Sequence, residues 1–171
     1  MLVNQALNRF AKHVVTQSKS NLTKGGKNVN KTLYNSIVSE LEVSKNSFRL
    51  SFDMEEYGQY QDLGVKGKAS GLKAPNSPFK FGSGTGKKGG LTDGILKWVI
   101  RKRFQFKDRQ SGKFLSYNQT AKLITRSIYL TGIKPSLFFT KPFESAFKNL
   151  PDELIEAFAL DLESLMTHTK K

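Results

Sequence analysis

Between Gly90 and Phe143 the chain carries two helical patterns that end at a glycine, followed by a proline-bounded aromatic run, and the rest reads as scaffold around this stretch. Thr92 is placed to cap the first helix, with Asp93 against its positive end. Ile95, Leu96, Val99 and Ile100 fall on one side, flanked by Trp98, and predict a core face. The opposite side carries Lys97, Arg101, Lys102 and Arg103, and the basic run continues through Lys107, Arg109 and Lys113 with only Asp108 to offset it. Such a run is either a solvated face or a surface that meets phosphates or a partner.

The second helix starts at Ser116-Tyr117-Asn118-Gln119, a capping box in which Ser116 and Gln119 satisfy each other's exposed amides. Ala121, Ile124 and Ile128 give its apolar stripe, widened by Leu123 and Leu130. Gly132 can take a left-handed cap conformation, and Pro135 forbids continuation. Between the helices, FQFKDRQSGKF at residues 104–114 alternates aromatics around a turn and predicts a small hairpin. Its rings either pack inward on the helices or, interleaved with cations, present a stacking platform for single-stranded nucleic acid.

The other segments are simpler. Val3, Leu7, Phe10 and Val14 make residues 1–17 an amphipathic docking helix, and 18–31 has the composition of a flexible loop. A short helical pattern through Leu33 and Ile37 gives way to strand alternation at Leu41, Val43, Phe48, Leu50 and Phe52, with a hairpin turn at Lys45-Asn46. Residues 64–90 form a long Gly/Lys-rich loop, expected to be mobile and to reach a partner or DNA through Lys87 and Lys88. Its glycines fit a dinucleotide-binding spacing, but no strand precedes them and no acid follows at the required distance. Residues 135–141 are expected to return as a strand, and Pro142 to open a short helix. The last helix, 151–166, starts at Pro151-Asp152-Glu153, with Leu154, Ile155, Phe158, Leu162, Leu165 and Met166 as its stripe and Asp161 and Glu163 on its outer side.

These elements predict an α+β fold: a small antiparallel sheet flanked by N- and C-terminal helices, with a helix-loop-helix lobe at 92–131 inserted. At 171 residues, one domain spanning 1–171 is expected. The chain has no cysteine and only His13 and His168, which excludes disulfides, thiolate chemistry and a multi-histidine metal site. No catalytic, cofactor or metal residues are assigned. No apolar run approaches the roughly 20 residues of a membrane span, and the start lacks the apolar centre of a signal peptide, so a soluble, unsecreted protein without a membrane partner is expected.

The net charge of +14 is segregated. Residues 65–148 hold eighteen bases and three acids, whereas 35–64 hold two bases and six acids. Concentrated cations favour nucleic acid or an acidic protein surface, because they displace counterions from a polyanion. Asp53, Glu55, Glu56 and Asp62 gather near the end of the sheet. With no D-x-D-x-D-G spacing, they are expected to face a basic surface on a neighbouring subunit rather than a cation.

In order along the chain, Tyr57, Tyr60 and Gly64, then Trp98, Gly132, Pro135, Phe138, Phe139, Pro142 and Phe143 before a final helix, resemble the head-tail joining and tail-completion proteins of tailed bacteriophages. The resemblance covers roughly residues 30–166 and rests on order and spacing. It implies a structural virion protein and no enzyme: a neck or tail-completion subunit in a homo-oligomeric ring of roughly six or twelve copies. Its expected partners are other neck, portal or tail proteins, with transient contact to genomic DNA. It would lie at the head–tail junction of the virion, and in the host cytoplasm during assembly. The alternative is a sequence-tolerant nucleic-acid-binding protein using the basic helix-loop-helix region.

Overall fold

The structure, a computed structural model, describes residues 1–26, 31–44, 47–83 and 90–168, with side chains up to Ser164 in the last helix. The elements run α1 (Leu2–Lys24), α2 (Thr32–Ser36), β1 (Val38–Ser44), β2 (Ser47–Asp53), α3 (Tyr57–Leu63), β3 (Val65–Lys66), α4 (Gly90–Lys102), α5 (Tyr117–Thr131), β4 (Gly132–Ile133), α6 (Thr140–Phe147) and α7 (Leu150–His168). The fold is mixed helix and sheet as expected, with two small antiparallel sheets, β1–β2 and β3–β4. One domain is expected from length; the chain divides into two compact units, Met1–Gly58 with Leu137–Lys171, and Gln59–Ser136.

The first unit holds the large apolar core. The stripe of α1 continues beyond Val14 through buried Ser18 and Leu22, so the helix runs to Lys24. Residues 18–24, expected as flexible loop, are therefore helical. β1 and β2 pair from Val38↔Asp53 to Ser44↔Ser47, which puts Leu41, Leu50 and Phe52 on one face. The turn expected at Lys45-Asn46 lies outside the described residues. A two-stranded sheet is marginal alone; this face packs on Leu7, Phe10, Val14 and Leu150, with Phe139 and Phe143 alongside. Phe10 meets Phe52 and Phe143 edge-on, at centroid distances of 6.2 and 5.6 Å. A second cluster joins Leu22, Leu33, Ile37 and Phe138.

The last helix departs from its expected stripe. Leu150 and Ala157 are buried, whereas Ile155 (68% exposed), Phe158 (59%) and Leu162 face outward. Asp161, expected on the outer side, shares the inner face with Leu150, Leu154 and Ala157, as helical spacing requires. Its carboxylate accepts the Leu2 and Val3 amides at 2.9 and 3.2 Å, closing the unpaired start of α1. The Leu2 amide is the main cause that holds its pKa below the ordinary carboxylate value.

The second unit is built on close backbone approach. Residues 135–141 do not form the expected strand. Pro135 has no ladder amide, Ser136 bonds the Gln61 and Asp62 carbonyls instead, and Leu137 turns the chain at φ 51°. The strand lies earlier: Val65 pairs with Ile133 and Lys66 with Gly132. Gly132 has φ 88° with extended ψ, so it opens β4 rather than forming a left-handed cap. A Cβ there would collide with the Val65 carbonyl oxygen, and one at Gly64 (φ 73°) would lie 2.5 Å from the Ile133 oxygen. Neither position tolerates a side chain.

The loop expected to be mobile is held where it is described. The Ser77 hydroxyl donates to the Gly64 carbonyl at 2.7 Å, Lys66 exchanges backbone bonds with Phe79 and Phe81, and Ala74 is buried. Pro142 does not open α6, which begins two residues earlier at Thr140; it is buried in the first turn, where a missing amide is harmless.

Candidate functional site

The α4–α5 pair of the second unit carries the strongest concentration of chemistry. α4 starts at Gly90, so Thr92 lies inside the helix and is not its cap. α4 and α5 pack together; Val99 on α4 and Thr120 and Ala121 on α5 are buried, while Ile95 and Leu96 are half-buried. Ile100, expected in the core face, is exposed, as is Leu123 on α5. The capping box of α5 forms as expected: the Ser116 hydroxyl oxygen accepts the Gln119 amide at 3.2 Å, and Gln119 Oε1 accepts the Ser116 amide at 3.0 Å.

α4 ends in an unusual way. The Arg103 amide donates to the Ile100 carbonyl and the Phe104 amide to the Val99 carbonyl, with Arg103 at φ 52°. This bonding closes a helix in the Schellman manner, at a position where glycine is favoured. An arginine there costs roughly 1 kcal/mol of backbone strain. The turn brings Phe104 beside Trp98, with centroids 6.2 Å apart, and Phe106 follows Phe104 at 5.2 Å.

The 104–114 segment is a hairpin, bridged at Lys107 and Phe114, with Asp108 and Leu115 donating to the Lys113 and Phe106 carbonyls. The Asp108 carboxylate is engaged in the turn, accepting the Gln110 amide and the Ser111 hydroxyl; the Gln110 bond is the main cause that lowers its pKa. The one acid of the hairpin is thus occupied locally.

The rings are only partly covered. Trp98, Phe104 and Phe106 are 38–40% exposed and Phe114 is 64% exposed, with the Lys107 ammonium 5.0 Å from its ring centre. Lys97, Arg101, Lys102, Arg103, Lys107, Arg109 and Lys113, on the same helix and hairpin, are all exposed. Lys87 and Lys88 lie outside the described residues. The second unit holds sixteen Lys and Arg against three acids, so it carries nearly all the chain's surplus charge. Flat rings between cations suit either an extended polyanion or an acidic, apolar protein face.

The acids expected to act together belong to different units. Asp53, Glu55 and Glu56 are exposed in the first unit, whereas Asp62 is buried on α3 within the second. A buried Asp62 cannot face a neighbouring subunit. Among the described residues no three His, Asp or Glu side chains are grouped to hold a metal ion. An open depression of about 570 Å³ in the first unit is lined by Arg9, His13, Asn149 and Glu153 together with apolar Phe10 and Leu150. No helix among the described residues is long and apolar enough to cross a membrane.

Most of the residues that carried the resemblance fall into two sets. Gly64, Gly132 and Pro135 converge at the β3–β4 contact, close to Tyr60, whose ring meets Phe79 edge-on at 4.6 Å. Phe138, Phe139, Pro142 and Phe143 belong to the core of the first unit. Tyr57 is partly exposed in that unit, its pKa raised by burial and by the Glu55 carboxylate. Trp98 stands apart on the surface of α4.

The features not foreseen are the left-handed Arg103 and the outward row of α7. The second was available: the α7 sequence has two apolar sides, Leu150-Leu154-Ala157 and Ile155-Phe158-Leu162, and only one can face a given core. The chain is therefore an α+β protein whose chemistry lies on open surfaces. Comparison with protein-family models, with curated proteins and with solved structures gives no match.

Proposed function

We propose that this chain is a structural subunit of a tailed bacteriophage, a neck or tail-completion protein that forms a ring at the head–tail junction through which DNA passes. It performs no reaction in this role. The observation that carries the reading is that Gly64 meets Gly132 and Pro135, about seventy residues further on in sequence, at one backbone contact. Their order and spacing thus correspond to a single structural requirement. The partly exposed rings of Trp98, Phe104 and Phe106 and the exposed apolar row of α7 are what a subunit presents before assembly.

The test is quantitative mass spectrometry of purified particles, counting this chain against the portal protein. A fixed count of roughly six or twelve supports a cyclic ring. Absence from particles overturns the reading.

A second reading, sequence-tolerant binding of nucleic acid, is favoured by the half-exposed rings set among cations. It predicts oligonucleotide affinity that falls steeply with salt and is lost when Arg101, Lys102 and Arg103 are changed to alanine.

A further inference from the structure

We infer that the outward face of α7 docks on the Trp98–Phe104–Phe106 surface of a second copy of this chain, as the repeating contact of the assembly. The inference rests on the ring reading for its closed form, and it names the two surfaces that meet.

α7 has two apolar sides, and its own unit uses only the one bearing Leu150 and Ala157. The other side, Ile155, Phe158 and Leu162, is open to solvent, and the helical spacing of Asp152, Glu156 and Glu163 sets a row of carboxylates beside it. From Asn149 to Ser164 the chain has five acids and no Lys or Arg. The helix therefore presents an apolar row edged with negative charge. The α4 surface is its complement: three rings in succession, with the exposed Arg101, Lys102 and Arg103 lying between Trp98 and Phe104 in the chain.

Neither surface suits its own kind. Two α7 faces would oppose carboxylate rows, and two α4 faces would oppose cations, each at an electrostatic cost. Each attracts the other, so the contact is heterologous, and repetition of a heterologous contact gives a ring when the rotation closes. Nucleic acid would cover the cations but leave Ile155 and Phe158 in water. A second copy covers both surfaces.

Arg103 adds an independent mark. Glycine would close α4 with less strain, so Arg103 brings its charge to the end of α4 at a cost in stability. Stability and association therefore pull in opposite directions at this position.

The experiment exploits the cysteine-free sequence. Full-length Phe158→Cys and Phe104→Cys chains are mixed at equal concentration and treated with a short bismaleimide, and products are resolved by mass. A cross-linked dimer containing one copy of each variant, absent from either variant alone, is expected. Glu156→Lys should weaken self-association by roughly tenfold, and a partner carrying Arg103→Glu should restore it. Arg103→Gly should raise the melting temperature while weakening self-association.

Cross-links within a single variant, or none between the two, overturn the proposal. So does oligonucleotide binding at the Trp98 surface with self-association unchanged by Glu156→Lys, which assigns that surface to nucleic acid. Circular dichroism checks each fold, and Leu162→Cys replaces any Phe158 variant that fails to fold. If the mixed cross-link forms but the chain is absent from particles, the ring-in-virion reading falls and the contact stands. If particles hold the chain but no mixed cross-link forms, only this contact falls.

Discussion

In the first unit Phe10, 7% exposed, is enclosed by the edge-on rings of Phe52 and Phe143, whereas in the second Trp98, Phe104 and Phe106 line up at similar centroid spacing with more than a third of each in solvent. The charges differ as sharply: twelve bases against eleven acids in the first, sixteen against three in the second. Ring-to-ring contact alone therefore does not mark a core. The first unit is stabilised by apolar burial, at about 1.5–3 kcal/mol for each large side chain buried. The second relies on helix caps, backbone contacts and a few small buried groups, Val65, Ala74, Val99 and Ala121.

The sharpest break in that contrast comes from Phe10→Ala. Removing the ring at the centre of the aromatic cluster should cost about 3–5 kcal/mol, read by denaturant unfolding. Gly132→Ala should cost roughly 1–3 kcal/mol by forcing a side chain at φ 88° against β3, with increased amide exchange confined to the second unit. Ser116→Ala removes the cap of α5 and should cost about 1 kcal/mol. Phe114→Ala, chemically the same truncation as Phe10→Ala, should change stability by less than about 0.5 kcal/mol because its ring is already in water.

The smallest expected effect is acidic. The folded-state pKa of Asp161 is lowered, so its contribution is present above the ordinary aspartate pKa and lost as pH falls through the lowered value. Protection of the Leu2 and Val3 amides, measured against their intrinsic exchange rates, should therefore fall only below the ordinary aspartate pKa, and Asp161→Ala should lower it at neutral pH.

Much of this was legible where chemistry is local. The capping box at Ser116 and Gln119, the hairpin at 104–114 and the β1–β2 alternation follow from neighbouring residues, so sequence spacing predicts them. Errors arose where a long-range partner decides. Ile100 and Phe158 fit apolar periodicity, but periodicity says only that a residue shares a face, not that anything covers it. Asp161 looked like a surface acid because its partners lie at the other end of the chain. The strand expected at 135–141 failed because Pro135 and the left-handed Leu137 outweigh aromatic β propensity. Segregation of charge was visible from the start, yet its coincidence with a separate compact unit was not, since units are defined by contacts.

The clasp of Asp161 on the Leu2 amide also fixes an order of events during synthesis. These residues are 159 positions apart, and at cellular elongation rates the second follows the first by on the order of ten seconds or more. Through that interval α1 has no acid to close its start, and Phe10 lacks Phe143. The residues of the second unit are contiguous, so they leave the ribosome as one uninterrupted stretch before α7 does. Of the two surfaces that we pair, the cationic one thus meets the cell first, surrounded by ribosomal RNA, while the acidic helix arrives after it.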